Sequence, residues 1–246
     1  MISRQHRTVF VHVPKAAGQS IEQAFLDELG LTWKTRAALL LRPNDDPALG
    51  PPRLAHLSAE EYVALGYLSP EDWESFYRFA IVRDPYSRVV SLYRHLGPDM
   101  AFSPWVMTWL TDKILAPRDA RARWFVKPQV EYLCDSNGTL LVQDVLRFED
   151  LDASFAHIAS RAGLESEKLP RRNSTGNKPQ PDIDVRPTRA TLLGREFRRI
   201  FLRSRFLRRD RWQDFYDVSS SERIAELYAS DFSTFGYPLL PPISTG

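Results

Sequence analysis

Cysteine is almost absent. Cys134 stands alone in 246 residues, which excludes an intrachain disulfide and a cysteine-built metal cluster. No run of about 18 apolar residues occurs, so no membrane-spanning helix is expected. The opening MISRQHR is polar, with no apolar signal region, and a cytoplasmic chain is expected. Internal repeats are missing, so a solenoid or array is not expected. No glycine stands ahead of Lys15 at the spacing of GxxxxGK[ST], which argues against the common NTP-binding loop. Net charge is small at +2, but that balance hides an asymmetry. Residues 185–212 hold ten arginines against Glu196 and Asp210, a local +8 that leaves −6 on the rest of the chain. Such a field attracts polyanions or acidic surfaces.

With 43% hydrophobic and 26% charged residues, the composition is that of a globular protein with a substantial core. One domain over residues 1–246 is expected. Residues 8–13 (TVFVHV) and 76–82 (FYRFAIV) have the length and branching of buried strands, and residues 140–148 are strand-like. Helical spacing begins at Gln19 and stops at Gly30, and it recurs after Asp84-Pro85, over residues 100–115 and over 151–162. Ser58 with Glu61 reads as a capping box for a helix over 58–66, and Pro70 opens another helical turn. Shorter helical signals start at Lys127 and run over 222–235. Residues 43–53 and 169–188 carry turn chemistry. Strands alternating with helices argue for an α/β fold with a mainly parallel central sheet flanked by helices. In such sheets, ligands sit at the carboxyl ends of strands.

Two motifs fall at strand ends. The first is FVHVPKAAGQS, residues 10–20. Ala16, Ala17 and Gly18 let the backbone approach a ligand, so that successive N–H groups point at one anion. The following helix adds its positive dipole end, Gln19 and Ser20 open that helix, and Lys15 supplies a point charge. An ordinary strand–helix turn with a solvated lysine is the bland alternative. The second motif is VRDPYSRVVSLYRH, residues 82–95. Arg83 leaves a strand, and Ser87 and Ser91 share one helix face. An arginine fork beside a serine hydroxyl suits a second phosphate, though a salt-bridged strand end would look the same.

Taken together, these motifs resemble the cofactor-binding pair of the PAPS-dependent sulfotransferases, in particular the carbohydrate branch that includes heparan sulfate 2-O-sulfotransferase. The resemblance runs on through HLSAEEY (56–62), KPQVEYLC (127–134), VLRFEDLDASF (145–155) and ELYASDFSTFGY (226–237). It implies a P-loop-like sulfotransferase fold. It implies that residues 15–20 hold the 5′-phosphosulfate of PAPS and that Arg83 and Ser91 hold the 3′-phosphate, leaving PAP as product. It also implies that Lys15 stabilises charge on the departing oxygen, and that His56 is the general base toward an acceptor hydroxyl. His12 competes for that role, though its place on a strand suits packing better, and Glu60 and Glu61 read as ordinary helix-surface carboxylates. Arg171 and Lys178 lie in a basic loop that matches a cofactor-contacting loop of the family, and a solvated loop is the alternative.

The stretch REFRRIFLRSRFLRRDRW, residues 195–212, admits three readings. It packs on the domain, binds an acidic polymer or glycolipid headgroup, or lies on an anionic membrane surface as an amphipathic helix. A bacterial enzyme acting on a carbohydrate or glycolipid suits the last two, in the second case peripherally at the inner membrane. Trp105, Trp109, Trp124 and Phe125 are candidates for a sugar wall, and Arg118, Arg121, Arg123 and Lys127 for an acidic acceptor. No metal is expected, and no nucleic-acid reader motif is present. A nucleotide kinase and a non-catalytic polyanion-binding protein remain as alternatives.

Overall fold

The computed structural model describes residues 1–116, 123–170 and 211–240. Its sheet has the order β1 (Ile2–Ser3), β2 (Thr8–Val11), β3 (Tyr77–Val82) and β4 (Asp144–Arg147). β2, β3 and β4 are parallel, with Phe10 opposite Phe79 and Ala80 opposite Val145. The apolar run of β3 is buried except at Arg78, as a central parallel strand covered on both faces requires. β1 pairs antiparallel with β2. This edge corrects the sequence reading, in which residues 1–7 are only a polar lead-in. Met1 and Ile2 are buried; two apolar residues are too few to show a period, yet enough to cover a sheet edge.

Ten α-helices are described: α1 (Gly18–Glu28), α2 (Glu61–Ala64), α3 (Pro70–Ser75), α4 (Pro85–Leu96), α5 (Phe102–Trp105), α6 (Thr111–Leu115), α7 (Val130–Leu133), α8 (Leu151–Ala162), α9 (Val218–Leu227) and α10 (Ala229–Phe235). A π-helical stretch, Val106–Leu110, joins α5 to α6. The start of α4 follows from sequence: the Asp84 carboxylate accepts from the Ser87 N–H at 2.7 Å, and Pro85 occupies the first helical position. Gly163 ends α8 in the left-handed conformation.

Two helix expectations need correction. The capping box at Ser58 is half made. Glu61 accepts from the Ser58 N–H at 2.7 Å, but the Ser58 hydroxyl donates to the same carboxylate oxygen instead of capping an amide. The Ala59 N–H is drawn to the Tyr132 carbonyl at 2.7 Å, so the helix begins only at Glu61. Residues 222–235 are not one helix either. The chain breaks at Tyr228, whose buried ring sends its hydroxyl to the Val126 carbonyl at 2.8 Å. Tertiary burial of one aromatic outweighs the helical period there.

Parallel pairing has a positional consequence. The carboxyl ends of β2, β3 and β4 lie side by side, so the residues that follow them, Lys15, Arg83 and Phe148-Glu149, converge on one edge of the sheet.

Candidate active site

At that edge lies a cavity of about 1310 Å³. Lys15, Ala17, Gly18, Gln19 and Ser20 line one part of it, Arg83 and Ser91 another, and His12, Glu22 and His56 a third. Strands whose paired residues Val11 and Ala80 lie 69 positions apart in sequence therefore bring both motifs to one chamber.

The loop after β2 is strained in a directed way. Lys15 and Ala17 both take positive φ, 67° and 63°, where a Cβ is disfavoured. Alternation of this kind turns backbone amides toward one side and builds an anion-binding concavity. The first amides of α1 lack intrahelical partners by geometry and face the same problem of satisfaction. Ala16 is different: it is buried, its N–H reaches the Val13 carbonyl at 3.3 Å, and it is absent from the cavity wall. Gly18 is required by contact. A Cβ there would lie 1.9 Å from Nε2 of His12.

Arg83 is held before any ligand arrives. Its Nε donates to the Ser87 hydroxyl at 2.8 Å, Nη1 to the Lys15 carbonyl at 3.3 Å, and its guanidinium lies 4.3 Å from the Phe148 ring centre. Ser87 thus positions Arg83, while Ser91 reaches the cavity wall. Gln129 clamps the Arg83 backbone, accepting from its N–H at 2.9 Å and donating to its carbonyl at 2.8 Å. Asp84, next in the chain, is pushed up to about 6, chiefly by burial and further by the nearby Glu149 charge, against the Ser87 N–H that favours its anion.

The two histidine rings are in contact, tilted by 53° to one another. His56 Nδ1 donates to the His12 carbonyl at 2.9 Å, which leaves Nε2 as the acceptor nitrogen. Their ring centres are 4.3 Å apart, and Trp124 lies 5.1 Å from His56. Burial, and then the neighbouring His12, hold the His56 pKa well below 6.5, so its ring is neutral. His12 in turn meets the Glu22 carboxylate at 2.6 Å through Nδ1, and both residues are buried. The packing role expected for His12 is thus only part of its setting, since its ring also faces the cavity.

Other sequence candidates fall elsewhere. Arg123 is committed to Glu131 by two bonds of 2.6 and 2.5 Å, and Lys127 donates to the Glu131 carbonyl at 3.1 Å. Both therefore brace α7 and stay off the cavity wall. Trp105 is core, with Trp109 stacked on it at 5.3 Å, whereas Phe125 does line the cavity. Glu61 is committed to the Ser58 turn that leads into α2, and Glu60 is exposed beside it. Arg118, Arg121, Arg171, Lys178 and the arginine-rich segment 185–212, apart from Arg211 and Trp212, lie outside the described residues.

The structure also brings in residues that sequence reasoning passed over. Trp33, Arg36 and Arg53 sit on the cavity wall. Arg88, 2% exposed, donates Nε to the Pro14 carbonyl at 3.1 Å and Nη1 to the Lys127 carbonyl at 3.1 Å, which ties α4 to the lysine loop. Asp231, fully buried, accepts from the Gln129 and Val130 N–H groups at 2.9 and 3.0 Å. The motif quoted as RDPYSR contained Arg88, and only its spacing five residues beyond Arg83 hinted at an inward face.

A cavity at the carboxyl ends of parallel strands thus holds a lysine-first loop on one side and a braced arginine with a serine on the other. The family model described as "Sulfotransferase family" matches residues 1–238. No curated protein and no solved structure matches the chain. A match over nearly the whole length, joined to this α/β fold and site, makes the chain a member of the sulfotransferase family.

Proposed function

We propose that this sulfotransferase takes its sulfuryl group from PAPS and delivers it in line to a hydroxyl of a carbohydrate or glycolipid acceptor, in the manner of the carbohydrate branch that its motifs resemble. The observation that carries the reading is the sharing of one cavity by the Lys15–Ser20 loop and the Arg83–Ser91 pair. A nucleotide phosphorylated at both ends of its ribose has two anionic groups to place, and ADP has only one such end. The donor set fits: Lys15 with the amides opening α1 for the 5′-phosphosulfate, and Arg83 with Ser91 for the 3′-phosphate. Only two of the five Arg83 N–H groups are committed among the described residues.

PAPS supplies, when bound, a sulfuryl group already activated by a phosphate leaving group. Lys15 offsets negative charge on the oxygen that departs with that phosphate. The neutral His56 accepts the acceptor hydroxyl proton at Nε2, and its Nδ1–H stays on the His12 carbonyl, which fixes the ring for the transfer. Trp124, packed against His56 and off the cavity wall, adds to the burial that favours the neutral base. Phe125 and Trp33 give the chamber flat apolar surfaces of the kind that sugar rings pack against.

Calorimetric titration with PAP, and with ADP and ATP plus Mg²⁺ for comparison, tests the reading. The expected result is PAP binding at least about tenfold tighter than ADP, since one charge-assisted pair is worth about 1.5–3 kcal/mol. Preference for ATP with Mg²⁺ would return the kinase reading, and no nucleotide binding would sink the donor assignment.

A further inference from the structure

His12 has a setting that the base assignment leaves without a purpose. It follows β2 directly, three residues before Lys15, it is 6% exposed, and it faces the donor chamber. Glu22, one turn into α1 and 3% exposed, meets its Nδ1 at 2.6 Å. A buried carboxylate accepts only, so the Nδ1 position carries the proton and Nε2 is the free nitrogen. That nitrogen lies against Gly18, the first residue of α1, so closely that no side chain fits between them. Nε2 therefore sits beside the amides that open α1, on the wall shared with Lys15.

Without a proton, the Nε2 lone pair would confront any anion bound at those amides. With a proton, it becomes a second donor there, backed by the Glu22 carboxylate on the far side of the ring. We propose that His12, held by Glu22, takes up a proton when the donor nucleotide binds and gives Nε2–H to the phosphate held at the start of α1. This rests on the reading that the loop binds the 5′-phosphate end of PAPS. The two histidines then divide the work. His56 stays neutral on the acceptor side, and His12 becomes cationic on the donor side, where it shares with Lys15 the charge that develops on the leaving oxygen. During transfer the sulfur–oxygen bond to the phosphate breaks, a bond to the acceptor oxygen forms, and the acceptor proton goes to His56.

The charged neighbours are consistent with this assignment. Glu22 from α1 faces His12 directly, and it also acts on the buried Met1 amino group, whose pKa burial lowers to about 5, so that group is neutral near pH 7. Lys15 stands on the same cavity wall. His56 faces the His12 ring, and Arg53 acts electrostatically on His56. Burial, then the neighbouring His12 ring and Arg53, keep His56 uncharged, so a proton arriving with an anion has one ring to settle on, the one paired with a carboxylate.

The test is titration calorimetry of the full chain with PAP near neutral pH, in two buffers of different ionisation enthalpy. The wild type, His12→Asn and Glu22→Gln are compared. Asn keeps an N–H donor where Nδ1 sits, and Gln keeps the size of Glu22. The wild type should take up close to one proton per PAP more than His12→Asn, because proton changes on PAP itself are common to both. His12→Asn and Glu22→Gln should bind PAP about ten- to hundredfold more weakly, the worth of one charge-assisted bond. Equal proton counts in the wild type and His12→Asn would overturn the proposal while leaving PAP binding intact. A wild type that takes up no proton overturns it without reference to any variant, whether or not the substitutions fold. If the wild type does not bind PAP at all, the donor reading itself has failed and the proposal falls with it.

Discussion

A histidine in water is half protonated near pH 6.5, which makes it a poor base in mildly acidic solution. His56 escapes that limit through its surroundings: it is buried, packed against the His12 ring and within the field of Arg53, and its pKa lies well below the ordinary value of 6.5. Its single hydrogen-bond donor is spent on a backbone carbonyl, which cannot itself titrate. The neutral form is thus kept over a wider range than in a free imidazole. The acid limb of the kcat/KM profile for sulfuryl transfer is expected below pH 6.5, and a limb at or above 6.5 would remove His56 from the role of base. Lys15, Gly18 and Arg83 were recognisable at this scale because a strand–turn–helix is a local pattern. The His12–Glu22 bond was not. It joins residues ten apart, and only the direction of α1 after the strained loop decides that they meet.

At the scale of elements, α4 shows how one residue serves both folding and the site. Asp84 caps α4 at Ser87 and stands beside Arg83, yet burial and the Glu149 charge raise its carboxyl to about 6 from 3.8. A raised value means that the native state binds more protons than the unfolded chain between those limits. Stability associated with this group is therefore full below about pH 4 and is lost as pH rises through 6. Asp84→Asn keeps an equivalent cap and removes that dependence. Asp84→Ala loses the cap and is expected to cost about 1 kcal/mol. Denaturant unfolding from pH 4 to 7 separates them: the Asn variant should have a flatter profile than wild type, and the Ala variant should be weaker than the Asn variant throughout. The sequence disclosed this cap because Asp-Pro before a helical period is a local signal. It did not disclose the break at Tyr228, since nothing within residues 222–235 interrupts the helical spacing.

On the scale of the whole molecule, the C-terminal helices brace the site from behind. Asp231 on α10 accepts from the Gln129 and Val130 amides, Gln129 clamps the Arg83 backbone, and Arg88 crosses from α4 to the Pro14 carbonyl. A chain of bonds therefore links α10 to both strand-end motifs. Asp231 is itself pushed up by burial, against the Arg88 charge and the amides that favour its anion. Asp231→Ala would strand two amides and take the counter-charge from the buried Arg88. A loss of about 3 kcal/mol is expected. Unfolding measurements on the variant check this, and a change under 1 kcal/mol would mean that the network is dispensable.

Sequence alone determined the main strand–loop–helix units, their order, the α/β class and the two strand-end motifs, because each rests on periodicity, capping and loop chemistry within about a dozen residues. Tertiary structure decided what those units share. Parallel register between β2 and β3 set Lys15 beside Arg83. The turn of α1 delivered Glu22 to His12, and the 3₁₀ turn Leu54–His56 brought His56 under the same roof. Arg123 and Lys127, which had the charge for an acidic acceptor, were drawn instead to Glu131. Charge and residue type are written in one dimension; which charges face a common cavity depends on strand pairing and on the burial that fixes each side chain, and both are properties of the folded chain.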